Sequence, residues 1–232
     1  MKTIVVPTDF SDHALYAQKI AASIAHQINA EIKLVHVCDL PLAEFADQYY
    51  YEKFYKQIKT DVQEKLNALV EMDILKGIKV STHIVSNIRI WELTTEKEFK
   101  NTDLIVLGSH GKSGSNKLFI GSNTEKIVRL ADLPVLTIKN EHSDFNVKKM
   151  VFTSDFYSES YATFKKIQFF ADLYGAHIHL LKVITPKHFE PTPISKKLLE
   201  DFAEHFKLTD YSLNIYNATS IEKGITDFSD EI

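Results

Sequence analysis

Glycine and serine residues in the first half of the chain have the spacing of an anion-binding site. Gly108 ends an apolar run that begins at Asp103, Gly111 follows, and Gly121 and Ser122 open the next helical pattern. Glycines let backbone N–H groups approach a ligand closely, and the start of a helix adds unpaired N–H donors with a partial positive charge. The chemistry that this order indicates is the binding of a phosphate chain.

Polar side chains beside the loop extend this candidate site. Asn123 and Thr124 add an amide and a hydroxyl group at the helix start, and Lys112 offers a positive charge for the outer phosphates. An alternative is that Ser122 only caps the helix, with Glu125 three residues later completing a capping box. The residues alone leave both interpretations open.

Motifs for a chemical reaction are absent from the sequence. It contains no Gly-x4-Gly-Lys-Ser/Thr loop, no His-Glu-x2-His and no Gly-x-Ser-x-Gly. His110 lies in the loop, but a single histidine without an evident carboxylate partner is more often a hydrogen-bonding residue than a general base. His177 and His179 lack a third metal ligand, so we expect exposed strand residues there.

The elements around the loop alternate between strand and helix. Apolar and β-branched runs predict strands at 3–8, 31–37, 78–85, 103–107 and 135–138, and helical spacing predicts helices at 14–28, 45–72, 90–99 and 122–131. Such alternation predicts an α/β fold, a doubly wound parallel five-stranded sheet with ligand sites outside the carboxyl ends of the strands. The loop after residue 107 lies at such an end.

The opening of the chain reappears in its second half. Residues 148–156 align with residues 2–10, and Val183 matches Val37 at the same offset. We therefore expect a nucleotide-binding domain at 1–140, a linker at 141–147 and a partial second copy at 148–232 that lacks the glycine loop. Asp155, the counterpart of Asp9, is interpreted as a helix cap without a ligand.

The spacing Gly-x2-Gly-x9-Gly-Ser, formed by Gly108, Gly111, Gly121 and Ser122, resembles the ATP-binding signature of the universal stress protein family. Pro-Thr-Asp after the first strand, Gly-Ser-His-Gly-Lys in the loop and Leu-Pro-Val-Leu before the last strand support the resemblance. It covers 1–140 as a full domain and 148–232 as a partial one. It implies the adenine nucleotide alpha hydrolase-like form of the α/β fold.

The resemblance also implies roles for individual residues. Asp9 would accept hydrogen bonds from the ribose hydroxyls, Pro7 and Val37 would line the adenine slot, and the loop and helix start would hold the phosphates. The alternative for Asp9 is that it only caps the following helix. The residues expected to bind the nucleotide are Pro7, Thr8, Asp9, Val37, Leu107, Gly108, His110, Gly111, Lys112, Gly121, Ser122, Asn123 and Thr124.

Composition restricts the partners. A net charge of −4 gives little electrostatic support for nucleic-acid binding, and no window approaches the length of a membrane span. The single cysteine and the direct start on an apolar strand suggest a cytoplasmic protein. The resemblance implies that Val135–Ile138 is an edge strand, through which we expect a homodimer.

Three functions remain open at this stage. The first is an ATP-binding regulator in stress response, with AMP or ADP as other ligands. The second is a slow ATP hydrolase or adenylate-transferring enzyme at the same loop, with Mg on the phosphates. The third is a scaffold that binds no nucleotide.

Overall fold

The fold is described from a computed structural model that covers residues 1–38, 48–86, 88–109 and 121–232. Within these residues the chain divides into two compact units, Met1–Phe145 and Asn146–Ile232. We call them the first and the second unit. Each has its own parallel sheet.

The first unit is built on a five-stranded parallel sheet in the order β3-β2-β1-β4-β5 among the described residues. All five residues of β1 are buried, as expected for a central strand covered on both faces. The predicted α/β fold with a five-stranded sheet is therefore confirmed. The strands are β1 (Thr3–Pro7), β2 (Glu31–Cys38), β3 (Val80–Ser86), β4 (Leu104–Gly108) and β5 (Val135–Ile138).

Three α-helices of the first unit connect these strands: α1 (Asp12–Ile28), α2 (Gln48–Val70) and α3 (Ser122–Leu130). Helix α1 begins at the cap residue Ser11, whose hydroxyl accepts a hydrogen bond from the Ala14 amide at 3.3 Å, and ends at Asn29 in a left-handed conformation. A 3-10 turn at Asp73–Leu75 leads into β3. Helix α1 packs against β1 and β4, which places its start beside the carboxyl ends of both strands.

The crossover from β3 to β4 differs from the helix expected at 90–99. It forms two short 3-10 helices, Ile90–Thr95 and Lys97–Phe99, separated by the extended backbone of Glu96. The Thr95 hydroxyl donates to the Glu92 carbonyl at 2.7 Å, a local bond that competes with regular helix formation. The 3-10 helix Ile90–Thr95 still covers the sheet, because Leu93 is buried in the core with Phe99 and Ile127. We refer to it as the crossover helix.

The second unit has a three-stranded parallel sheet in the order β6-β7-β8. Buried phenylalanines fill its core, and the rings of Phe152 and Phe202 are stacked with their centroids 5.7 Å apart. Its elements are β6 (Lys149–Thr153), α4 (Ser160–Tyr174), β7 (His177–Ile184), α5 (Thr192–His205), β8 (Tyr211–Asn217) and α6 (Ile221–Glu231).

Candidate functional site

A cleft of about 400 Å³ lies at the carboxyl ends of the first unit's strands, where doubly wound folds bind ligands. Its lining combines apolar side chains with polar residues from the turn after β1 and the first turn of α3. The described residues that line it are Pro7, Thr8, Asp9, Ala14, His36, Val37, Ile88, Arg89, Ile90, Trp91, Leu107, Gly108, Gly121, Ser122, Asn123, Thr124 and Ile127.

The turn after β1 presents Asp9 to the cleft. The Thr8 hydroxyl accepts a hydrogen bond from the Phe10 amide, and an Asp9 carboxylate oxygen accepts one from the Ser11 amide, both at 3.0 Å. Phe10 has a left-handed backbone with φ of 62°. Because Ser11 is the helix cap, the alternative that Asp9 caps α1 is wrong; Asp9 instead stabilises the turn that leads into it.

The end of β4 and the start of α3 are joined by hydrogen bonds. The Gly121 amide donates to the Ser109 carbonyl at 2.8 Å, and the Thr124 hydroxyl donates to the Gly108 carbonyl at 3.0 Å. Residues more than ten positions apart therefore meet at one point. The end of β4 and the start of α3, which the glycine spacing assigned to one phosphate chain, therefore lie side by side.

The start of α3 leaves backbone donors for a ligand. Gly121 is the cap residue without a side-chain cap, and the first backbone bond of the helix runs from the Glu125 amide to the Gly121 carbonyl at 2.9 Å. The amides of Ser122, Asn123 and Thr124 have no hydrogen-bond partner among the described residues. The alternative that Ser122 caps the helix is therefore wrong, because the cap residue is Gly121.

Gly108 has a packing role in addition to lining the cleft. A Cβ atom on Gly108 would lie 2.7 Å from the backbone carbon and oxygen of His13, closer than packed atoms come. Only a glycine lets α1 approach the end of β4 so closely. The same contact brings the start of α1 next to the carboxyl end of β4.

Sequence reasoning missed one wall of the cleft, on which Ile88, Arg89, Ile90 and Trp91 lie at the start of the crossover. It also missed His36, whose Nδ1 donates to the Thr8 carbonyl at 2.7 Å, since a carbonyl can only accept. The only feature of the sequence that pointed to His36 was that it is polar and stands next to Val37, a predicted ligand contact. Nothing in the sequence indicated the crossover residues.

The structure places ten of the thirteen predicted residues in the cleft. His110, Gly111 and Lys112 lie outside the described residues. The Gly121 amide is already bonded to Ser109, so its contribution to a ligand site is to position the helix rather than to donate a hydrogen bond.

At the corresponding place in the second unit, charged and polar side chains bond to one another. Lys182, at the position equivalent to His36, donates to the Asp155 carbonyl and pairs with Glu190, both at 2.9 Å. The side chains of Lys182 and Glu190 are only 8% and 18% exposed. Ser195 is fully buried and donates to Glu190 at 2.6 Å.

The pKa of Glu190 reflects this setting. Burial raises this pKa. Hydrogen bonds from Ser195, Lys182 and Tyr157 lower it, as does the charge of Lys182, and together they outweigh the effect of burial. The pKa therefore lies below its ordinary value.

Two sequence expectations for this unit are wrong. The Asp155 carboxylate accepts from the Tyr157 amide at 3.1 Å and does not cap α4, whose cap residue is Glu159.

The histidine pair on β7 is the second correction. His177 pairs with Asp210 at 2.6 Å and His179 bonds the Ser212 hydroxyl at 2.9 Å, so neither is simply an exposed strand residue. The Nε2 atom of His179 is buried and has no hydrogen-bond partner among the described residues, and burial lowers the pKa of this histidine. Among the described residues, no three His, Cys, Asp or Glu side chains group as metal ligands.

A protein-family model described as Universal stress protein family matches residues 1–139. The chain belongs to the universal stress protein family. Universal stress protein MJ0531 of Methanocaldococcus jannaschii is 34% identical over 139 residues, which cover 60% of this chain and 82% of that protein. The resemblance seen in the sequence is thereby confirmed, and family membership supports a function in stress response.

Solved structures agree with this assignment. Hypothetical protein MJ0577 of the same archaeon matches this universal stress protein with 29% identity and a TM-score of 0.52, over 61% of this chain and 98% of that one. A universal stress protein from Archaeoglobus fulgidus matches 99% of this chain and 81% of its own with a TM-score of 0.70. At 17% identity, the second match supports the fold alone.

Within the described part of the chain, no helix has the length and apolar character to cross a membrane.

Proposed function

We propose that this universal stress protein binds an adenine nucleotide, ATP in preference to AMP, in the cleft of its first unit and acts as a regulator rather than as an enzyme. The observation that carries the proposal is the junction between the end of β4 and the start of α3, where Gly121 and Thr124 are hydrogen-bonded to Ser109 and Gly108. The first turn of α3, whose amides have no partner among the described residues, lines the same cleft as Asp9.

The lining offers a suitable chemical group for each part of a nucleotide: the base, the ribose and the phosphates. Apolar side chains, among them Val37 and Leu107, provide a slot for the base, and the Asp9 carboxylate is an acceptor for vicinal ribose hydroxyls. The start of α3 provides donors for phosphate oxygens. A Mg²⁺ ion would be held chiefly by the phosphates, with the hydroxyl and amide oxygens of Ser122 and Asn123 as the hard ligands that this ion prefers.

Calorimetry with ATP tests this function on the wild type and on Gly121→Val. The substitution would place a branched side chain where the end of β4 meets the start of α3. We expect the affinity of the variant for ATP to fall at least tenfold, about 1.4 kcal/mol. Thermal unfolding of both proteins separates a lost site from a lost fold. Equal affinity in the two proteins, or no binding to either, would remove the proposal.

We further propose that the protein forms a homodimer through β5. In the first unit this strand pairs with β4 and lies at the edge of the described sheet, and its first three residues are only half-buried. An apolar edge strand readily pairs with a second chain.

A further inference from the structure

Two positive charges flank the tryptophan of the cleft wall. The Lys126 ammonium lies 4.0 Å and the Arg89 guanidinium carbon 5.6 Å from the centre of the Trp91 ring. Both distances are within the range of a cation–π interaction. Lys126 is on α3, one turn after Ser122, so the Trp91 ring contacts a residue of α3 as well as Arg89.

Arg89 is exposed and its position is set by its backbone. Its amide donates to the Glu92 carboxylate at 2.6 Å, which orients the start of the crossover helix. No carboxylate of a described residue forms an ion pair with its guanidinium. The residue is exposed and lines the cleft, and its guanidinium carries five N–H donors.

The charges of the cleft are separated. Among its described lining residues, Asp9 is the one carboxylate and Arg89 the one side chain with a permanent positive charge. A ligand that fits both has a hydroxyl-bearing part and an anionic part. A planar guanidinium suits a phosphate better than a hydroxyl, because it donates two parallel hydrogen bonds to an anion.

We propose that Arg89 is a specificity-determining residue that binds the phosphate chain of the nucleotide, together with the amides of Ser122, Asn123 and Thr124 in the same cleft. This inference rests on the proposed nucleotide-binding function. Trp91 holds the guanidinium by its ring, and Lys126 adds to the positive potential around it. Arg89 then favours a nucleoside triphosphate over the uncharged nucleoside.

The test compares ATP with adenosine in calorimetric titrations of the wild type and Arg89→Gln. A hydrogen-bonded contact to a charged group is worth roughly 10- to 100-fold in affinity. We expect Arg89→Gln to weaken ATP binding by about tenfold or more and to leave adenosine binding within about twofold. The dependence of ATP affinity on salt is expected to become shallower in the variant.

Arg129→Gln is the matched control, since it removes the same charge from α3. Arg129 is exposed, pairs with Glu125 at 3.2 Å and does not line the cleft, so ATP affinity should stay at the wild-type value. If Arg129→Gln weakens ATP as much as Arg89→Gln, the effect is one of net charge and the inference is refuted. An equal loss for adenosine and ATP in Arg89→Gln would place Arg89 on the base and also refute it.

The two proposals fail separately. If the wild type binds neither ligand, the nucleotide-binding function is lost. If the wild type binds ATP and Arg89→Gln binds it equally well, only the role of Arg89 is lost. Trp91 is the single tryptophan of the sequence and lines the cleft, so its emission gives an independent reading of occupancy.

Discussion

Replacement of Glu190 by alanine tests the buried ion pair of the second unit. The substitution removes the carboxylate that pairs with Lys182, whose side chain is 8% exposed. Among the described residues, Lys182 then keeps the Asp155 carbonyl and the Tyr157 ring, 5.4 Å away. Removal of one partner of a buried pair costs about 3–5 kcal/mol, because a charge remains without compensation. Glu190 itself is 18% exposed, which places the expected loss near the lower end, about 3 kcal/mol.

Thermal unfolding followed by far-UV circular dichroism measures this loss in the full chain. For a domain of this size, about 1 kcal/mol lowers the Tm by roughly 4–8 °C, so the transition of the second unit should fall by about 12–24 °C. The emission of Trp91, which lies in the first unit, reports separately on that unit. Asp201→Ala is the control, since it breaks the exposed pair Lys197–Asp201 and should cost no more than about 0.5 kcal/mol.

A double variant separates the ion pair from the general effect of truncation. Lys182→Met combined with Glu190→Ala removes both charges, and we expect it to lose less stability than the two single variants together. If Glu190→Ala is no more harmful than Asp201→Ala, or if the two single effects simply add, the pair does not stabilise the second unit as argued.

The pH dependence of stability is an independent test of the contribution of Glu190. The folded-state pKa of Glu190 lies below its ordinary value of 4.5. Its stabilisation is therefore complete above that value and is lost as the pH falls through the folded pKa. The difference in stability between wild type and Glu190→Ala should be largest near neutral pH and should shrink below about pH 4.5.

The other predictions concern the first unit. Asp9→Ala should weaken ATP by about tenfold in calorimetry, through loss of a charge-assisted bond to the ribose, and should leave 2′,3′-dideoxy-ATP unchanged; an equal loss for both ligands would contradict the ribose contact. Leu136→Lys should convert the dimer to a monomer in analytical ultracentrifugation at micromolar concentration, because a charge on β5 opposes pairing at its edge. A wild-type monomer, or a dimer that survives the substitution, would remove the β5 interface.

Local sequence patterns were sufficient for the sheet and for part of the cleft. The apolar runs around Val5 and Val106 predicted buried parallel strands, because a strand covered on both faces needs apolar side chains throughout. The spacing of Gly108 and Gly121 predicted the two turns, since each depends on a glycine next to a strand end or a helix start. Ten of the thirteen residues expected to bind the nucleotide line the cleft, some predicted from these patterns and others, such as Asp9 and Val37, from the family resemblance.

Local patterns were less informative about which of several neighbouring polar residues caps a helix. Asp9 and Ser11 are both good helix caps by type, and only the backbone path through Phe10, with its positive φ, makes Ser11 the cap and Asp9 a turn residue. The same uncertainty made Asp155 appear to be a cap. The expected helix at 90–99 also became two 3-10 helices.

The sequence by itself determined the strand order along the chain, the family and the glycine-rich turns, because these depend on residues that are close in the chain. Only the tertiary structure decided that Arg89 and Trp91 line the cleft and that Lys182 pairs with Glu190. Arg89 and Lys126 of α3 meet at the Trp91 ring because the crossover helix packs against α3. Such contacts join residues whose separation in the chain carries no periodic signal, so packing of the whole sheet is needed to bring them together.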